Sequence, residues 1–244
     1  MTRAITAATA AVLLLAGCAT LPEGKHDPRD PFERVNRSIY GFNNAVDRAV
    51  IRPVARGWKA VVPRKLRLAL SNFTSNLAYP GTIINDLLQG KFAIGGQDFA
   101  RLVVNTVEGL GFFDPATSAG LERHDEDFGQ TLGKWGVPAG PYLMLPFFGP
   151  SSVRDAPTRL ADDYTSARHY ISDPYVNWGL WTIEKLELRA SLLDLDAALD
   201  RTFDPYAFVR NAWLQRREYQ VRDGDVTEDA SDLDPDAGAE PPAN

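Results

Sequence analysis

The sequence has very few of the residues on which much protein chemistry depends: one cysteine and three histidines in 244 residues. A single cysteine cannot form an intramolecular disulfide, so the fold must be held by packing and polar contacts. The charged segment around His124 lacks the ligand spacing of known zinc motifs, and a solvated loop explains it better than a metal site. The sequence contains no P-loop and no G-x-S-x-G motif. We therefore expect no metal, no cofactor, no catalytic residues and no enzymatic activity.

Basic clusters interleaved with aromatic residues are also missing, which argues against a nucleic-acid partner. The net charge of −6 comes from one end of the chain, because residues 223–244 hold eight acidic residues and no basic one, and the remainder carries +2. The segment 222–244 has no aromatic residue and is rich in Asp, Ala and Pro. This composition predicts a disordered acidic tail over 222–244.

No apolar run reaches the roughly 20 residues that cross a bilayer as a helix. A short run near the N-terminus follows a basic start and ends in "LAGC", at Cys18. This pattern is typical of a secretory signal, and it resembles the bacterial lipobox, in which the cysteine is acylated after cleavage. The alternative is a secreted protein with a chance cysteine. We predict a signal peptide over 1–17, lipid attachment at Cys18 and a lipidated tether over 18–29; Ala19, by resemblance, favours the outer membrane.

The body of the chain shows helical rather than strand periodicity. In "DPFERVNRSIYGFNNAVDRAV" an apolar stripe follows a start in which Asp30 suits the N-cap and Pro31 the first helical position, and Pro53 ends or kinks this helix. Pro63 opens a second helix, "NLAYPG" reads as a turn, a shorter helical piece ends at Gly90, and Gly95 with the next glycine introduces a strongly periodic helix. We see no alternating strand pattern of convincing length, and we predict an all-α protein with a single helical domain over 30–221.

Two helical segments lead to further predictions. The stripe of Phe99, Val103 and Val107 predicts a face buried in the core, so that an aspartate at Val103 would cause misfolding. The Asp-Pro start seen at Asp30 recurs at Asp173 and Asp204 and opens a long helical pattern at each, and the pattern after Asp173 has two apolar stripes rather than one. It is either a helix sandwiched in the core or a helix with protein on one side and lipid on the other.

The segment "GPYLMLPFFGPSS" is apolar but interrupted by proline and glycine every few residues. It is too short to cross a membrane and has too many prolines for the interior of a regular helix. The surrounding Gly- and Pro-rich stretch from 112 to 168 is long for a structureless connection, so we expect it to have a functional conformation of its own.

Five segments together resemble the MlaA family, also called VacJ, in the same order and over residues 30–220: "DPFERVNRSIYGFN", "SNFTSNLAYPGTIINDLLQG", "RLVVNTVEGLGFFD", "EDFGQTLGKWGVPAGPYLMLPFFGPSSVRD" and "DPYAFVR". The resemblance implies a ring-like helical outer-membrane lipoprotein of Gram-negative bacteria, with amphipathic helices in the membrane interface and a central amphipathic channel. It implies removal of mislocalised phospholipid from the outer leaflet, delivery to a soluble periplasmic lipid carrier of the Mla pathway, and association with an outer-membrane trimeric porin. The alternative is a porin-associated structural lipoprotein without transport activity.

Under this resemblance the proline-interrupted segment is a candidate lipid path. Rigid turns at its prolines would hold an apolar wall in place, and its polar end would include Ser151 and Ser152. The alternative is a packed loop under the ring. The candidate residues are Tyr142, Leu143, Leu145, Phe147, Phe148, Arg154 and Asp155.

Overall fold

The computed structural model describes residues 27–225, and the all-α prediction is confirmed for them apart from one short β-hairpin. Cys18, the signal peptide and residues 226–244 lie outside the described residues. The first helices are α1 (Glu33–Val46), α2 (Arg52–Val61), α3 (Arg64–Leu88), α4 (Phe92–Val107), α5 (Pro115–Ser118) and α6 (Phe128–Lys134). After the strands β1 (Tyr142–Leu145) and β2 (Gly149–Ser152) come α7 (Asp155–Thr165), α8 (Pro174–Ser191), α9 (Asp196–Leu199) and α10 (Pro205–Val221).

Helices α1 and α2 follow one another without a loop, through a π-helical turn over Asp47–Ile51. The irregularity predicted at Pro53 lies at this turn, because Pro53 has no N–H for the helical ladder and the chain is π-helical just before it. The prediction for Asp30 is wrong. Helix α1 begins at Glu33, and the Asp30 side chain is buried in the protein, where it accepts hydrogen bonds instead of capping the helix.

The turn predicted at "NLAYPG" is also wrong, because Pro80 lies inside the 25-residue helix α3. Tertiary packing outweighs the lost backbone hydrogen bond here, since Tyr79, Gly81 and Thr82 are all buried. Helix α4 begins at Phe92, ahead of Gly95. A Cβ on Gly95 would lie 3.2 Å from both Asp86 Cβ and Leu87 Cδ2, so this glycine permits the close approach of α3 and α4.

The burial of α4 is the reverse of the prediction. Its buried residues are Gly95, Asp98 and Arg101, whereas Val103 is 42% exposed and Val107 70% exposed. Many fully buried side chains elsewhere in the described residues are also polar, including Asn36 and Asn85, although Tyr142 belongs to a small apolar cluster. The outer surface carries many large apolar residues, and extensive exposed apolar surface marks contact with a membrane or a partner.

Helix α8 shows the same outward apolar face. It begins at the predicted cap, Asp173, whose side chain accepts hydrogen bonds from two backbone N–H groups of the first turn. Ala190 on one side is fully buried, whereas Leu188 is 57% exposed and Leu195, in the following 3-10 turn, is 60% exposed. The structure therefore does not support a helix sandwiched in the core. No helix within residues 27–225 is long and apolar enough to cross a membrane.

The folded part of the chain continues past the predicted domain boundary at 221. Asp223 accepts a hydrogen bond from Lys134 at 2.8 Å and forms a second ion pair with Lys91. These contacts tie the residues after α10 to the start of α4 and the end of α6, so the structured part of the chain extends to Asp225.

The interface of α3 and α4 contains a buried acid that should make stability depend on pH. Asp86 is fully buried, and burial followed by the neighbouring Asp98 carboxylate raises its pKa to about 8, against 3.8 in a solvated chain. The proton on Asp86 therefore stabilises the fold at low pH, and this contribution is lost as the pH rises from about 4 through about 8. We expect Asp86→Asn to flatten this slope of roughly 1.4 kcal/mol per pH unit. Thermal unfolding of both proteins from pH 5 to 8.5 checks it; parallel curves would contradict the assignment.

Candidate functional site

The hairpin of β1 and β2 occupies the proline-interrupted segment, where the sequence had indicated no strand. Its strands are antiparallel, with Tyr142 opposite Ser152 and Leu145 opposite Gly149. Only four residues long, β1 alternates buried and half-buried positions, too briefly for the pattern to be recognised in the sequence. Pro150 is tolerated because a two-stranded sheet has only edge strands.

Two asparagines of α1 hold the hairpin from its open side. Asn36 donates to the Tyr142 carbonyl at 3.1 Å and accepts from the Met144 N–H at 2.8 Å. Asn43, two helical turns further on, donates to the Leu145 carbonyl at 3.0 Å and accepts from the Phe147 N–H at 2.8 Å. We call Asn36 and Asn43 the asparagine clamp. Their amides pair with the outer edge of β1 as a third strand would, which fixes the hairpin against α1.

Buried charges fix the base of the hairpin. The Arg217 guanidinium of α10 donates to Asp127 at 2.6 Å and to Asp155 at 3.0 Å, and Arg154 donates to Asp155 at 2.7 Å. Burial alone favours the neutral acids, but the hydrogen bonds from Arg217 to Asp127 and from Arg154 and Arg217 to Asp155 hold both pKa values below the usual range. We call these four residues the base network. Gly129 lies against it, because a Cβ there would come within 2.4 Å of Asp155 Oδ1.

The tip of the hairpin is exposed and aromatic. Phe147 is 69% exposed and adopts a left-handed backbone with φ of 64°, a conformation that bulky residues rarely take. Its ring packs edge-to-face on Phe42, with centroids 5.2 Å apart. Phe148 is 58% exposed, and the Arg159 guanidinium lies over its ring at 5.8 Å. The tip therefore presents two phenylalanines away from the protein interior.

Phe148 forms part of one wall of an open cleft of about 490 Å³ between the hairpin tip and the start of α8. The cleft is amphipathic. Its apolar side includes Trp178 and Trp181, which pack edge-to-face with centroids 5.6 Å apart. Its polar side includes Asp163 and Arg168. The lining residues are Phe148, Asp163, Arg168, Ile171, Ser172, Pro174, Asn177, Trp178 and Trp181.

The polar side of the cleft is organised by Arg168. Its guanidinium donates to Asp163 at 2.5 Å and to the Asn177 amide oxygen at 2.7 Å, and the Asn177 amide donates back to the Arg168 carbonyl at 3.2 Å. His169 Nδ1 lies 3.0 Å from the other Asp163 oxygen. The cleft thus offers a fixed cation and a fixed anion on one side and an aromatic surface on the other.

The structure separates the predicted site residues into two groups. Phe148 lines the cleft, Phe147 lies at the exposed tip, and Leu143 and Leu145 are half-buried along β1. Tyr142 is fully buried against Tyr206 and Trp213, and Arg154 and Asp155 belong to the base network, as Ser151 and Ser152 belong to the buried end of β2. We therefore assign the buried group to holding the hairpin in place. Sequence reasoning missed Asp163, Arg168, Trp178 and Trp181; the pair of tryptophans three residues apart was the only signal for them.

Comparisons with known proteins agree on one family. A family model described as MlaA lipoprotein matches residues 28–220. The intermembrane phospholipid transport system lipoprotein MlaA of Escherichia coli (strain K12) is 40% identical over 218 residues, covering 87% of this chain and 86% of the relative. The protein of the same description from Haemophilus influenzae is 33% identical, covering 96% and 97%. A solved structure, from work on the structural basis for maintenance of bacterial outer membrane lipid asymmetry, matches with a TM-score of 0.72 at 39% identity, covering 79% of this chain and 98% of that chain.

Proposed function

Because the chain belongs to the MlaA lipoprotein family, we propose that it removes mislocalised phospholipids from the outer leaflet of the outer membrane and so maintains the lipid asymmetry of that membrane. The family is one of lipid-transport lipoproteins, and we propose that this chain has no enzymatic activity. The observation that carries the proposal is the amphipathic cleft of about 490 Å³ beside the hairpin tip. A phospholipid that crosses a leaflet needs a polar route for its headgroup and an apolar surface for its acyl chains, and the cleft offers both.

The inverted burial of the fold supports the same proposal. Large apolar residues on the outside, such as Phe99 and Leu188, suit acyl chains. Charged groups inside are bonded within the protein, since Arg101 donates to Asp114 and Asp98 accepts from Tyr79. Amphipathic helices that do not cross the bilayer can lie in its interface with one face among acyl chains. The ring-like arrangement and the central channel, which the resemblance implies, belong to this proposal.

In the proposed mechanism, the headgroup meets the polar wall of the cleft at Arg168 and Asp163, while acyl chains slide over Phe148 and the tryptophans of α8. Arg168 can contact a phosphate through the guanidinium N–H groups that do not bond Asp163 or Asn177. We place Leu143, Leu145, Phe147 and Phe148 along the path. Tyr142, Arg154 and Asp155 are left out of it, because they are buried in the protein.

The partners and the location follow from the resemblance. We propose that the protein is anchored through an acylated Cys18 to the periplasmic face of the outer membrane, that it associates with a trimeric porin, and that it passes phospholipid to a soluble periplasmic carrier. An acylated cysteine with two or more chains anchors stably where one chain does not. The sequence has no P-loop, and we propose that the transport is not powered by this chain.

The test is the phospholipid content of the outer leaflet in a strain that lacks the protein. We expect phospholipid to accumulate there, and complementation with the natural chain to reverse it. Cys18→Ala should fail to complement, and mass spectrometry of the mature N-terminus should find acyl chains on Cys18. An unchanged outer leaflet in the deletion strain would favour the alternative, a structural lipoprotein bound to a porin.

A further inference from the structure

The segment from Arg48 to Asn85 contains seven basic residues and no acidic one. Four of the seven form ion pairs with acidic residues of the chain. Arg48 pairs with Asp200 at 2.7 Å, and the others, Arg52, Lys59 and Arg67, pair with acids in α8 to α9 or at the π-helical turn. These pairs dock α2 and α3 onto α8, so their charges are accounted for by the fold.

The remaining three basic residues have no such partner. Arg56, Arg64 and Lys65 are exposed, and none of them forms an ion pair or a side-chain hydrogen bond within residues 27–225. They lie where α2 turns into α3, at Val62 and Pro63. We call residues 54–68 the basic elbow.

Helix stability does not explain these charges. Arg64 and Lys65 occupy the first turn of α3, which has no acidic residue and no side-chain cap. Cations near a helix N-terminus oppose the helix dipole and are unfavourable there. Neither the helix nor an ion pair within residues 27–225 accounts for these charges.

Exposed apolar side chains lie on the same segment as the three cations, with Arg56 on the side of α2 opposite the apolar face. Val54 is 53% exposed and Val61, seven residues later on the same side of α2, is 80% exposed. In the first turn and a half of α3, Leu66 is 51% exposed and Leu68 is 49% exposed. A segment that has an apolar face, three unpaired cations and no acidic residue of its own fits a membrane whose headgroups are anionic. A nucleic acid would be expected to meet stacking aromatics rather than valine and leucine.

We propose that the basic elbow binds anionic phospholipid headgroups of the surrounding membrane, with Arg56, Arg64 and Lys65 on the phosphates and Val61 and Leu66 among the acyl chains. This goes beyond the proposed transport function, because it concerns the lipids that surround the protein rather than the lipid that passes through it. The elbow would fix the tilt and depth of α2 and α3 in the leaflet. It would also enrich anionic lipid next to the protein.

The test is lipid binding by the full mature protein, purified in neutral detergent and titrated with phosphatidylglycerol or phosphatidylethanolamine, with bound lipid counted by native mass spectrometry. We expect the natural chain to prefer phosphatidylglycerol. One basic residue near an anionic surface contributes about a fivefold change in binding, so Arg56→Gln, Arg64→Gln and Lys65→Gln together should weaken phosphatidylglycerol binding by about 100-fold. Phosphatidylethanolamine binding should change little, and higher salt should reduce the preference.

The matched control is Arg34→Gln, Arg201→Gln and Arg216→Gln, which removes the same charge from three exposed arginines outside the elbow. The charge-retaining variant Arg56→Lys with Arg64→Lys should keep the preference, which separates charge from misfolding. Three results would overturn the proposal: equal binding of both lipids by the natural chain, equal loss in the control triple, or an elbow triple that keeps phosphatidylglycerol but loses a co-purifying acidic protein. Because the assay measures binding, its failure would leave the transport proposal untouched.

Discussion

Phe148→Asp should leave the protein folded and abundant while phospholipid accumulates in the outer leaflet to the level of the deletion strain. Phe148 is 58% exposed at the cleft, so few packed neighbours would surround the new charge. A carboxylate among acyl chains costs roughly 2.5–3.5 kcal/mol, which corresponds to about two orders of magnitude in the rate at which tails pass. Immunoblots of the outer membrane and quantification of outer-leaflet phospholipid measure the two parts of this expectation.

Two controls make the result specific. Phe148→Leu keeps an apolar wall and should transport normally. Phe203→Asp places the same charge at a fully exposed phenylalanine that does not line the cleft, and should also transport normally. If Phe148→Asp is abundant and no phospholipid accumulates in the outer leaflet, Phe148 is not on the lipid path. If the variant disappears from the cell, the hairpin tip contributes to folding in a way that its exposure does not show.

Gly129→Ala, which adds a single methyl group, should destabilise the protein by several kcal/mol. The added Cβ would lie 2.2 Å from Arg217 Nη2 and 2.4 Å from Asp155 Oδ1, so the base network must open to admit it. Separating a buried ion pair costs roughly 3–5 kcal/mol. The total free energy of unfolding of a native protein is about 5–15 kcal/mol. Denaturant unfolding in detergent and steady-state abundance in cells are the measurements.

Gly96→Ala is the matched control, because it makes the same change in a helix where a Cβ would meet nothing within 4 Å. It should be neutral or slightly stabilising, by about 0.5–1 kcal/mol, since alanine is the better helix former. A Gly129→Ala protein that unfolds at the same denaturant concentration as this control would show that the base network is dispensable.

Local signals in the sequence were sufficient to predict several helices and the side chains that cap two of them. Asp173 and Asp204 both cap as predicted, because their side chains reach the backbone N–H groups of the following turn. The predictions failed where tertiary contacts decided the outcome. Pro80 stays inside α3 because its neighbours pack, and the four-residue strand β1 forms because the asparagine clamp supplies hydrogen bonds from a helix more than a hundred residues away.

The face of a helix that points inward was the larger difficulty. Periodicity locates an apolar stripe on α4 but does not tell whether protein or lipid covers it, and the buried side proved to be that of Asp98 and Arg101. The cleft could not be predicted from the sequence for a related reason. Arg168 and Phe148 are 20 positions apart, and only the turn of the chain between α7 and α8 brings them to one cavity.

The polar interior also bears on the heat capacity of the protein. Exposing apolar groups to water raises the heat capacity on unfolding, whereas exposing polar groups lowers it. Unfolding would expose interior polar side chains such as Arg101, Asn36 and Asn85 to water. The large apolar side chains of the exterior are already at the protein surface in the native state. The heat-capacity change should therefore be small for a chain of this length. Its stability would then vary little on cooling, and the cold denaturation that weakens proteins with apolar cores should be correspondingly remote.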